Sequence, residues 1–147
     1  MESVLVGVDR SDGSRRALAF ALKRAQVNKW SITIGHVINW SRYSFPIGED
    51  NEVRPVQRRA EIEAARAEII EPLVSWAEAE NLRGDVEITV DIRHGRPSEV
   101  LATIADERGH DVIVVGRKGD SDLRVAIFGS TANRLAQHAT VPVVVVP

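Results

Sequence analysis

Hydrophobic positions along this chain alternate between two periods. Val4–Val8 is a continuous apolar run, and in Asp12–Val27 the residues Ala17, Leu18, Ala21, Leu22 and Ala25 recur at helical spacing. Ser31–Ile38 reads as a second strand. Asn39–Pro55 carries two prolines, a glycine and mixed charges, and is predicted to be a long loop. Gln57–Asn81 is predicted to be helical, with Ile62, Ala65, Ile69, Leu73 and Trp76 on one stripe. Pro72 falls inside that stretch; it lacks an N–H and crowds the preceding turn, so a kink or interruption is expected there. Val86–Arg93 is the third strand, Pro97–Arg108 a helix with proline in its first turn, and Asp111–Val115 the fourth strand. Ser130–His138 and Val141–Pro147 complete the chain as the last helix and strand.

Strands alternating with helices predict an α/β fold, an open parallel five-stranded sheet with helices on both faces. The patterns also bear on strand order. In the third strand Val86, Ile88, Val90 and Ile92 alternate with Glu87, Thr89, Asp91 and Arg93, as in a half-solvated strand. The first and fourth are apolar throughout, as central parallel strands are. Order 3-2-1-4-5 puts the third strand at an edge; the flavodoxin-like order 2-1-3-4-5 puts its charges in the middle and is disfavoured. The preferred order makes strands one and four neighbours, with the chain winding away on opposite sides. Ligands of open α/β sheets bind at such a switch point, outside the carboxyl ends of the strands. Asp9 ends strand one and Gly116 follows strand four, so both are expected at one crevice. The last strand becomes the other edge. Its Val143-Val144-Val145-Val146 is an apolar edge that invites a second chain, and a homodimer through Val141–Val146 is expected, against cover by a loop or by the kinked helix.

The candidate chemistry sits beside that crevice. Gly116-Arg117-Lys118-Gly119 follows the fourth strand, and nine residues later Gly129-Ser130-Thr131 opens the last helix. Glycines let backbone approach a ligand closely, and a helix N-terminus favours an anion through its unpaired N–H groups and dipole. The element therefore suits a phosphate; a tight turn followed by an ordinary serine N-cap is the other reading. Asp9 can accept hydrogen bonds from sugar hydroxyls or amides, or it can cap the turn into the first helix.

These residues resemble a known family. Gly-x2-Gly-x9-Gly-Ser, the helix Ala132–His138 and the Val141-Pro142-Val143 strand are similar to the C-terminal half of the universal stress protein family. Val4-Leu5-Val6-Gly7-Val8-Asp9 and Ile34-Gly35-His36-Val37-Ile38 resemble its first two strands. The resemblance implies the 3-2-1-4-5 fold, a dimer through the last strand, and binding of ATP or a related nucleotide (AMP or ADP). Carried over by position, Val8 and Asp9 would meet the adenosine and the Val37 backbone the adenine edge. Val115, Gly116, Lys118 and Gly119 would wrap the ribose and first phosphates, and Gly129, Ser130 and Thr131 the phosphate tail. Arg117 and Arg124 are candidate phosphate clamps, and Arg10 a further cation near the crevice. Asp120 and Asp122 in the connector would repel a triphosphate unless Mg²⁺, held mainly by the phosphates, bridges them.

Composition narrows the classes further. The 147 residues are 44% hydrophobic and 27% charged with no low-complexity tract, as expected for one domain spanning residues 1–147. A net charge of −2 argues against nucleic acid as the main partner. The absence of cysteine removes disulfides, thiolate catalysis and Cys-ligated zinc. With no basic leader and no long apolar window, a membrane span is not expected and a cytoplasmic location is. His36, His94, His110 and His138 have no metal-ligand spacing, and neither a Gly-x-Ser-x-Gly elbow nor a P-loop is present. The loops of adenylate-forming enzymes are also missing, so no residue is nominated as catalytic and at most slow ATP hydrolysis is expected. Two roles stay open: a nucleotide-binding regulatory module, or a nucleotide-free interaction protein of the same fold. Trp40, Tyr43 and Phe45 on the long loop suit a gate, a partner surface, or packing over the sheet.

Overall fold

The computed structural model describes residues 2–39, 53–117 and 130–147. The elements run β1 (Ser3–Val8), α1 (Asp12–Asn28), β2 (Ser31–Asn39), α2 (Val53–Ala65), a π-helical turn (Arg66–Ile70), α3 (Glu71–Ala79), β3 (Ile88–Gly95), α4 (Pro97–Arg108), β4 (Val112–Gly116), α5 (Ser130–His138) and β5 (Val143–Val146). All strand pairs are parallel, in the order β3-β2-β1-β4-β5. This is the expected order, with β3 at one edge and β5 at the other. Trp40, Tyr43, Phe45, Lys118, Gly119, Asp120, Asp122, Arg124 and Gly129 lie outside the described residues.

Alternation along the strands divides the core in two. Val4, Val6, Ile32, Ile34 and Val114 face α1 and the α2–α3 pair, where Leu18, Leu22, Ile69 and Leu73 are buried. Leu5, Val37, Ile113 and Val115 face Leu101 and Ile104 of α4 and Leu135 of α5. Gly7 and Gly35 are paired across β1 and β2 on the second face. A Cβ on Gly7 would stand 2.8 Å from Leu101 Cδ1, and one on Gly35 would stand 3.1 Å from Leu101 Cδ2. The two glycines thus form the seat into which α4 inserts Leu101.

Helix ends follow local chemistry. Pro97 opens α4, and Gly109 closes it in the left-handed region with φ 67°, its N–H bonded to the Ala105 carbonyl. Pro72 cannot donate to the carbonyl one turn back, and the helix shifts register just before it. The Glu71 N–H bonds to Arg66 O, the i→i−5 pattern of a π turn. The expected interruption therefore takes the form of a π turn between α2 and α3.

The third strand departs from a simple half-solvated pattern. Asp91 is only 9% exposed, because α4 lies over that face. It accepts from Arg93 Nε at 2.9 Å and from Arg108 Nε of α4 at 2.9 Å, while Arg93 also pairs with Glu107. Burial would raise the Asp91 pKa, but the hydrogen bonds from Arg93 and Arg108 outweigh it and hold the carboxyl below its ordinary range. At the opposite end of the sheet from the crevice, His110 is 4% exposed, with Nδ1 2.6 Å from Ser3 Oγ. Its Nε2 is buried with no hydrogen-bond partner among the described residues. Burial, with help from Arg108, pushes its imidazole below the usual histidine range, against opposing effects from Asp111 and Asp91.

These two shifts set an acid limb in stability. An unfolded histidine titrates near 6.5, so just below about pH 6.5 the unfolded chain takes a proton that folded His110 refuses. Stability is therefore fully present above that pH and falls below it. The Asp91 contribution persists through this window and is lost only as the pH drops through its lowered folded pKa. Urea denaturation at about pH 7.5 and about pH 5 should show a fall in wild-type stability that is smaller in His110→Asn; equal falls would remove His110 as the cause.

Candidate functional site

At the carboxyl end of the sheet the chain leaves β1 for α1 and β2 on one side, while β4 leads to α5 and β5 on the other. The crevice between β1 and β4 is the switch point. Val8, Asp9, Val37, Val115, Gly116, Ser130 and Thr131 all line one cleft there.

The turn after β1 is built around Asp9. Its Oδ1 accepts from the Ser11 N–H at 2.9 Å, from Ser11 Oγ at 2.5 Å and from Ser14 Oγ at 3.1 Å, and the Asp9 N–H meets Ser14 Oγ at 2.7 Å. Asp9 thus fixes the entry into α1, which was one of its two expected roles, while its carboxylate stands at the cleft. Arg10 lines the same cleft and pairs with Glu68 at 3.0 Å.

Gly116 has an ordinary φ; its need for glycine comes from contact. A Cβ there would stand 2.9 Å from the Gly13 carbonyl oxygen and 3.0 Å from Gly13 Cα. The end of β4 therefore lies backbone to backbone against the first turn of α1. The Arg117 N–H is also committed, donating to the Val146 carbonyl at 2.7 Å. Any anion contact from Arg117 must come from its side chain.

Backbone direction decides what Val37 offers. Ser31 N–H donates to Glu2 O on the β1 side, and Ile32 N–H donates to Glu87 O on the β3 side. Odd positions of β2 thus turn their backbone toward β1, and Val37 is one of them. The β1–β2 pairing stops at Val8 and His36, so the Val37 carbonyl projects past the last rung into the mouth of the cleft. Across the cleft, Ser130 and Thr131 begin α5, and the first-turn N–H groups of a helix have no partner within the helix.

Sequence reasoning passed over several residues that shape this cleft. Gly7 and Gly35 were signalled by glycine inside apolar strands. Gly13, Ser11 and Ser14 carried no pattern of their own. On the α2 side His94 Nε2 meets Glu61 Oε2 at 2.9 Å, and at the β3–α4 turn Gly95 has φ 142°. Among the described residues no group of three or more His, Cys, Asp or Glu side chains is placed to hold a metal. No described helix is long and apolar enough to cross a membrane.

A doubly wound parallel sheet with a glycine-lined crevice at its switch point defines a Rossmann-like α/β protein. The sequence profile of the Universal stress protein family matches residues 1–147, and the chain belongs to that family. It is 24% identical to the stress response protein NhaX of Bacillus subtilis, over 99% of this chain and 97% of that protein. It is 32% identical to a universal stress protein of Mycolicibacterium smegmatis, over 97% of this chain but only 47% of the relative, so it spans about half that protein's length. Among solved structures, universal stress protein UspA from Lactobacillus plantarum superposes with a TM-score of 0.78 at 23% identity, covering 99% of this chain and 97% of that one. A universal stress protein in complex with cAMP superposes with a TM-score of 0.69 at 26% identity, covering 99% and 95%.

The glycine contact yields a direct test. Gly116→Ala is expected to lower stability by about 1–3 kcal/mol, the usual cost of overpacking, although its φ suits alanine. Denaturant unfolding checks this; an unchanged midpoint would mean that β4 and α1 are not in contact at Gly13.

Proposed function

We propose that this protein is a cytoplasmic, single-domain regulatory module of the stress response. It binds an adenine nucleotide (ATP, ADP or AMP) in the switch-point cleft and acts as a homodimer. The observation that carries this reading is convergence. The Asp9 turn, the projecting Val37 carbonyl, the Gly116 backbone and the start of α5 meet in one cleft. The cAMP complex of a relative at 26% identity supports the same ligand class.

In this reading Val8 and Asp9 meet the adenosine, and the Val37 carbonyl accepts from the 6-amino edge of adenine. Val115, Gly116, Lys118 and Gly119 enclose the ribose and first phosphates. Gly129, Ser130 and Thr131 hold the phosphates through N–H and hydroxyl donors at a helix N-terminus, and the Arg117 side chain reaches them from β4. Mg²⁺ accompanies a triphosphate, bound chiefly by its oxygens. In this reading ATP hydrolysis is at most slow.

A ligand that binds only the folded state raises its stability by about 2.7 kcal/mol at a hundredfold excess over Kd. Thermal unfolding with ATP–Mg²⁺, ATP, AMP, cyclic AMP and GTP should therefore show an upward shift with adenine nucleotides and less with GTP. No shift with any of them would leave the cleft architectural and favour the nucleotide-free interaction protein.

The dimer uses the β5 edge. Ile113 N–H donates to Pro142 O and Arg117 N–H to Val146 O, so even positions of β5 turn toward β4. Val143 and Val145 then present their backbone outward. Sedimentation should give twice the mass of the chain. Val145→Pro, which removes an outward N–H and leaves the β4–β5 ladder intact, should give the monomer; a monomeric wild type would contradict the dimer.

A further inference from the structure

His36 stands on β2 opposite Val8 of β1 and lines the cleft, half-buried. Its Nδ1 lies 2.8 Å from the Val8 carbonyl oxygen. A carbonyl oxygen only accepts, so Nδ1 carries the proton. In the neutral ring Nε2 is then a lone-pair acceptor, its tautomer set by the backbone rather than by a ligand. No donor among the described residues meets that nitrogen. The other histidines differ. His94 Nε2 is taken by Glu61, His110 is buried at the far end of the sheet, and His138 lies in the last turn of α5. His36 also holds the carbonyl just before Asp9, so it ties the orientation of the turn to the cleft wall.

We propose that His36 is a specificity-determining residue of the nucleotide site, its Nε2 accepting a hydrogen bond from a donor group of the bound nucleoside. This rests on the nucleotide reading above. Adenosine offers such donors in its 6-amino group and its ribose hydroxyls. Guanine and hypoxanthine carry a carbonyl at the 6 position, and facing an acceptor there leaves two lone pairs opposed. A fixed acceptor beside the projecting Val37 carbonyl therefore favours a ligand rich in donors at this wall.

The test compares AMP with three analogues that each lack one donor: purine riboside 5′-monophosphate, 2′-deoxy-AMP and 3′-deoxy-AMP. Calorimetric binding is measured for wild type and His36→Asn. The asparagine amide keeps an N–H donor near the Nδ1 position, for Val8, and removes the acceptor at Nε2. One analogue is expected to bind wild type about three- to tenfold more weakly than AMP, the value of one hydrogen bond. That gap should close in His36→Asn, and the analogue whose gap closes names the group that His36 reads. Should His36→Asn fail to fold, His36→Gln, which keeps an acceptor near the Nε2 position, is expected to retain the gap, and its loss there overturns the proposal. Wild-type binding with no gap, or with every gap unchanged in His36→Asn, overturns the role of His36 alone. A wild type that binds none of the four overturns the nucleotide reading and this inference with it.

Discussion

The cleft depends on a contact between two stretches of backbone. Gly116 at the end of β4 and Gly13 in the first turn of α1 approach so closely that a Cβ on Gly116 would stand within 3.0 Å of Gly13 backbone atoms. Flexible side chains yield to such crowding, but backbone does not. The contact therefore sets how far β4 stands from α1, and with it the width of the crevice at the switch point. On the other face the Leu101 side chain inserts over Gly7 and Gly35 and seats α4 against β1 and β2, a contact of side chain on backbone that is more yielding than the Gly116–Gly13 one. Glycine at these places gives the sheet two close-fitting helices and leaves its carboxyl end accessible.

Around that frame the cleft divides its chemistry. The β1–β2 side offers acceptors: the Asp9 carboxylate, the Val37 carbonyl and the imidazole of His36. The α5 side offers donors, the first-turn N–H groups with the hydroxyls of Ser130 and Thr131. A ligand with donors at one end and anionic oxygens at the other matches this polarity, and a nucleotide is such a ligand. Asp9 works at both levels. Its bonds to Ser11 and Ser14 shape the turn, and the same bonds hold its carboxylate at the cleft.

Much of the architecture was legible because it rests on local signals. The charges of the third strand placed it at an edge, and the apolar first and fourth strands put the switch point between them. Pro72 announced the break between α2 and α3, although not its π form. What sequence could not show were contacts made at a distance. The period-two pattern assigns Asp91 to solvent, yet α4 covers it and supplies Arg108, a pairing visible only once helix and strand are docked. Gly116 suggested a close approach to a ligand; its nearest neighbour proved to be Gly13, over a hundred residues earlier in the chain. The hydroxyls that hold Asp9 and the proton position of His36 depend in the same way on neighbours set by the fold. The residues best marked by motif, Lys118, Gly119 and Gly129, are those whose roles still rest on the family pattern.

The proposed place of the adenine nucleotide is the carboxyl end of the sheet, between β1 and β4. Backbone amide spectra recorded during titration with AMP test it most directly. Asp9, Val37, Gly116, Ser130 and Thr131 are expected to shift together with one saturation curve, while Ser3 and His110 at the opposite end stay fixed. Shifts confined to the Ser3–His110 end, or no saturable shift anywhere, would contradict it.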